Sequence, residues 1–139
     1  MYDLESLKSL VEGGCTYAIA RGEKLFSGEE RGIRPLLELI GRGEDMRGAV
    51  AADKIVGKAA ALLYAYMGIQ ELYAGVLSES GLAVLRENGI AVQFGTLAER
   101  IINRAGTGIC PMEETVENIA EPAAAFAALQ KRAAELAGK

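Results

Sequence analysis

Cys110, Asp53, Lys54 and Lys58 are the side chains of this sequence whose types and spacing suit chemistry. The Cys110 thiol directly precedes Pro111, where a helix is expected to begin, and a helix dipole would favour the nucleophilic thiolate. Glu113 and Glu114, in the following turn, act in the opposite sense. A lone cysteine equally fits a small buried hydrophobe, so both readings of Cys110 stand, whereas Cys15 at a strand start reads as structural. Lys54 and Lys58 are four residues apart and share a face on a helix, with Lys54 in its first turn, where the dipole disfavours a cation. That placement suits either an anion held against them or a solvated rim paired with nearby carboxylates. Asp53 fits the N-cap of that helix, and Ser78-Glu79-Ser80 fits the cap of the next one. Asn103-Arg104 and Gly106-Thr107-Gly108 add side-chain and backbone donors.

Composition removes several classes of function. The chain has no histidine, which excludes histidine-ligated zinc and a Ser-His-Asp triad within one chain, and its two cysteines make at most one bridge. Gly57-Lys58 is not a phosphate-binding P-loop, because Ala52 stands where the first glycine belongs and Ala59 replaces the Ser or Thr that binds magnesium. With 15 Lys and Arg against 19 Asp and Glu, the formal charge is −4, which opposes nucleic acid as a main partner. The longest uncharged apolar run, residues 59–69, is about half of what a membrane span requires. Asp3 and Glu5 give the start an acidic character unlike a secretory signal. A cytoplasmic globular domain is the expectation for 139 residues that are 50% hydrophobic.

The elements that must position these residues follow from periodicity. Leu4, Leu7, Leu10 and Val11 predict a helix over 3–12 that stops at Gly13-Gly14. Residues 15–20 and 24–27 predict a hairpin through Arg21-Gly22-Glu23, and Pro35 opens a short helix closed by Gly41-Arg42-Gly43. The run 49–52 predicts a buried strand and 53–67 a helix. Residues 71–77 read as a strand covered on both faces, followed by a helix to Asn88-Gly89. Ile90, Val92 and Phe94 alternate as a further strand. Thr96 and Glu99 have capping-box spacing and predict a helix over 97–103. Pro111 opens a helix to about residue 120, and Pro122 opens the last one. Strands joined by helices pair in parallel, so the fold class is α/β, a three-layer α-β-α arrangement around a mixed sheet of about five strands, in one domain over 1–139. Ligands in such sheets bind beyond the carboxyl ends of the strands.

Read together, Gly13-Gly14-Cys15-Thr16, Gly32-Ile33-Arg34-Pro35-Leu36-Leu37, Ala51-Ala52-Asp53-Lys54-Ile55-Val56-Gly57-Lys58-Ala59, Val76-Leu77-Ser78, and Asn103-Arg104 with Cys110-Pro111-Met112-Glu113 resemble a prokaryotic domain-of-unknown-function family of the cytidine deaminase-like superfamily. The resemblance implies a helix, a hairpin and two strand-helix units. It also implies two zinc-ligand motifs opening the helices after the third and fourth strands. Ala51-Ala52-Asp53 occupies the first place, with Asp53 near the general acid-base position, and Ser78-Glu79-Ser80-Gly81-Leu82 the second. Neither supplies a ligand set, so no metal is expected and zinc-dependent deamination is set aside.

The expectation is a zinc-free, deaminase-like domain that takes a small anionic, nucleotide-like metabolite and no cofactor. Lys54, Ser78, Asn103 and Glu113 are the ligand-binding candidates, and Cys110, Asp53 and Lys58 the catalytic ones. The alternative is a non-catalytic binding or assembly domain in which the small-residue face Gly57, Ala61, Ala65 makes a subunit contact; a homo-oligomer fits both.

Overall fold

The computed structural model describes residues 2–101 and 110–138. The chain runs α1 (Leu4–Glu12), β1 (Tyr17–Arg21), β2 (Lys24–Gly28), α2 (Arg34–Gly41), β3 (Val50–Val56), α3 (Lys58–Met67), β4 (Glu71–Ser78), α4 (Glu79–Glu87), β5 (Ala91–Ala98), α5 (Pro111–Thr115) and α6 (Pro122–Ala137). The five strands form one sheet in the order β2-β1-β3-β4-β5. β1 is antiparallel to β2 and β3, while β3, β4 and β5 are parallel. Helix, hairpin and strand-helix units therefore follow in the expected order.

Each strand sends alternate side chains to opposite layers. Ala18, Ala20, Ala52 and Tyr73 pack against Leu7 and Val11 of α1, and Lys8 Nζ lies 5.1 Å from the centre of the Tyr73 ring. Ile19, Ala51, Leu72 and Ala74 pack into the larger core with α2, α3, α4 and α6. α3 is apolar around its whole circumference, with Ala59 to Tyr64 all buried, because it lies between the sheet and α6. Tyr66 stacks on Phe126 of α6 at 5.4 Å between ring centres.

The alternation changes phase in the middle of the sheet. Ala51 and Val56 are an odd number of residues apart on β3 yet share the α3 core, as do Ala74 and Leu77 on β4. Between them lie Lys54 on β3 and Gly75 on β4, with Gly95 at the matching place on β5. A Cβ at Gly75 would stand 2.7 Å from the Lys54 carbonyl oxygen, and one at Gly95 3.0 Å from the Gly75 carbonyl oxygen. Glycine is required at Gly75 by this close approach.

Three boundaries differ from the sequence reading. β3 continues to Val56 and the helix begins at Lys58, because Ile55 and Val56 are β-branched and Ile55 and Val56 continue the pairing with Val76 and Leu77 of β4. Asp53 is thus a strand residue and no cap; the N-cap of α3 is Gly57. β5 continues through Thr96, Leu97 and Ala98, whose pairing with Val76, Leu77 and Ser78 overrides the local capping-box pattern. α5 is one turn of five residues, where ten were expected. Of the small-residue face, Ala61 is fully buried and Glu113 closes over Gly57, while Ala65 is partly exposed.

Two glycine substitutions separate close approach from propensity. Gly75→Ala should cost about 1–3 kcal/mol, because a methyl group must displace a strand carbonyl. Gly41→Ala, at the end of α2 with nothing within 4 Å of the added carbon, should be neutral or stabilising by up to about 1 kcal/mol. Urea denaturation of both variants measures the contrast.

Candidate functional site

A cavity of about 520 Å³ opens where the carboxyl end of β3, the start of β1 and the first turn of α3 meet. Asp53, Lys54 and Ile55 of β3 line it with Thr16, Tyr17 and the segment Arg31 to Ile33. Gly57, Ala59 and Ala60 form the α3 side, and Met112 and Glu113 close it from α5. Most of the wall is apolar. Arg31 and Lys54 are exposed and form no ion pair among the described residues.

Asp53 reaches this cavity because it precedes the phase change and so faces α3. Its Oδ2 accepts a 2.6 Å hydrogen bond from the Tyr64 hydroxyl, and Oδ1 a 3.3 Å bond from the Ile55 amide. Burial pushes the carboxyl up to about 7, against the opposing pull of these bonds. Burial and the neighbouring carboxylate push Tyr64 well above the usual tyrosine range, so it remains a neutral donor. Tyr17, paired with Asp53 across the β1–β3 ladder, is raised by burial and by Glu30 and Glu38. The cavity thus holds a carboxyl group that can change charge near neutral pH.

The first turn of α3 has no capping side chain of its own. Glu113 takes that place from α5: its Oε1 accepts from the Lys58 amide at 2.8 Å and its Oε2 from the Ala59 amide at 2.7 Å. A carboxylate against the positive end of a helix is well placed. The approach is so close that a Cβ on Gly57 would collide with the Glu113 carboxylate. Lys58 turns its ammonium to the Glu117 carbonyl oxygen at 3.0 Å, in the turn that follows α5.

The structure therefore brings Asp53, Lys54 and Glu113 to one cavity. Ser78 is elsewhere, fully buried, with its Oγ accepting from the Gly81 amide at 3.0 Å as the N-cap of α4. Cys110 is the partly exposed N-cap position of α5 and is not part of the cavity wall. Asn103 lies outside the described residues. Because β3 runs longer than expected, the segment that opens the helix after the third strand is Gly57-Lys58-Ala59 and not Ala51-Ala52-Asp53. Neither it nor Ser78-Glu79-Ser80-Gly81 carries a thiol or imidazole, so the residues at the two helix starts do not fit a catalytic zinc. Sequence reasoning missed Arg31, Tyr17 and Tyr64. A tyrosine eleven residues after an aspartate carries no local signal, and only the strand-to-helix return places the two together.

Two measurements test this geometry. A carboxyl raised in the folded state leaves the folded chain with more bound protons than the unfolded one between about pH 4 and 7. Its contribution to stability is full below pH 4 and is lost as the pH rises through 7, by at most about 4 kcal/mol. Asp53→Asn should therefore flatten this loss, and the difference from wild type should grow from pH 5 to pH 8 in denaturant titrations. Glu113→Ala should cost about 1–2 kcal/mol through loss of the α3 cap, with Glu113→Gln recovering part of it.

The comparisons with known proteins agree with this architecture. A family model described as a domain of unknown function, DUF1893, matches residues 5–132. A crystal structure of a DUF1893 family protein from Thermotoga maritima superposes with a TM-score of 0.83 at 24% identity, over 92% of this chain and 87% of that one. A diaminohydroxyphosphoribosylaminopyrimidine deaminase/5-amino-6-(5-phosphoribosylamino)uracil reductase from the same organism matches more loosely, with a TM-score of 0.44 at 18% identity, over 66% of this chain and 34% of that one. No curated protein matches the sequence. With residues 5–132 of its 139 matched by that family model, the chain belongs to the DUF1893 family.

Proposed function

We propose that the cavity at Asp53 binds a small anionic metabolite with an apolar body, of about the size of a nucleotide. The observation that carries this reading is that Arg31 and Lys54 line the same largely apolar cavity without a carboxylate partner among the described residues. A volume of about 520 Å³ falls in the range of small-molecule sites. The anionic group belongs at the Arg31 and Lys54 side and not at the start of α3, because Glu113 already accepts from the Lys58 and Ala59 amides there.

A covalent role for Cys110 draws no support from this arrangement, since the thiol is not part of the wall and Lys58 is engaged with Glu117. The reading is one of binding, with Asp53 as the group able to exchange a proton with what is bound. Calorimetry with a panel of phosphorylated metabolites tests it. Ligands should bind more weakly as salt is raised, and Arg31→Ala and Lys54→Ala should each weaken binding about tenfold or more, the value of a charge-assisted hydrogen bond. Affinity unchanged in both variants would overturn it.

A further inference from the structure

The cavity carries charge of both signs. Arg31 and Lys54 lie on its wall with Asp53 and Glu113, yet no ion pair joins the two sets among the described residues. The two carboxyl groups are not equivalent. Glu113 uses one oxygen on each of two backbone amides. Among the described residues Asp53 accepts only from neutral donors, the Tyr64 hydroxyl and, at longer range, the Ile55 amide, and has no cationic partner. A purely anionic ligand would leave this carboxyl uncompensated and, once it is ionised, would be repelled by it.

We infer that the ligand is an amine-bearing anion, whose protonated amine is held by Asp53 while its anionic group lies at Arg31 and Lys54. The inference rests on the anion-binding reading above and narrows its substrate class. The amine supplies the positive charge that Asp53 lacks, and Tyr64 fixes the carboxyl from behind. An ammonium at this carboxyl favours its ionised form, so binding is coupled to release of the proton that burial otherwise retains.

Pyridoxamine 5′-phosphate and pyridoxine 5′-phosphate are suitable probes, since they differ by an amine against a hydroxyl on the same ring and phosphate. Titration calorimetry at pH 6.5, in two buffers of different ionisation enthalpy, reads both affinity and proton release. Wild type should bind the amine probe at least fivefold more tightly than its hydroxyl twin and release more protons on doing so. Asp53→Asn, nearly the same shape, should abolish that preference and the extra protons, while Lys54→Ala should weaken both probes alike. Equal affinities and equal proton release for the twins in wild type, with both still weakened by Lys54→Ala, would overturn the amine and leave the anion site standing. Binding of neither twin, or binding of both untouched by Lys54→Ala, would overturn the anion reading and this inference with it.

Discussion

The phase change at Lys54, Gly75 and Gly95 is the constraint on which the site depends. In a regular strand, residues an odd number apart face opposite layers, so Asp53 and Val56 could not both be directed at α3. Displacing the backbone by one position across neighbouring strands allows it. Asp53 then meets Tyr64, Val56 closes the core below, and the exposed Lys54 lies at the cavity. The cost falls on β4 and β5, where side chains are given up at Gly75 and Gly95 so that carbonyl groups can approach.

A second constraint is electrostatic. α3 is buried among apolar neighbours and starts without a cap of its own, so its first amides need an acceptor from outside the helix. The chain supplies it from α5, and this decides how the cavity is polarised. The Glu113 carboxylate at the α3 end and the basic side chains of Arg31 and Lys54 line one mostly apolar space. The helices that follow β3 and β4 start at glycine, lysine and serine.

Much of the fold was legible in the sequence, because the hairpin, the apolar run at Glu71–Ser78 and the proline-opened α6 carry strong local signals. What failed were positions where two local patterns competed. Asp53 has the chemistry of a cap and Ile55-Val56 that of a strand, and ladder pairing with β4 decided between them. Thr96 and Glu99 match a capping box, and pairing with β4 again prevailed. Within the site, Asp53, Lys54 and Glu113 were identified by type, but their roles were not. Glu113 as the cap of a helix more than fifty residues earlier, and Tyr64 as the partner of Asp53, are tertiary facts without a short-range signature.

The Glu113 bond to Lys58 closes a loop of 55 residues around β4, α4 and β5. Closing a chain segment of that length costs on the order of 3–4 kcal/mol of configurational entropy, far more than closing the one-turn contacts within α3. β3, α3, β4, α4 and β5 are joined through short connections and can consolidate before that loop shuts. With that sheet in place the loop left to close is shorter, so completion of the α5 wall of the cavity is tied to consolidation of β3 to β5.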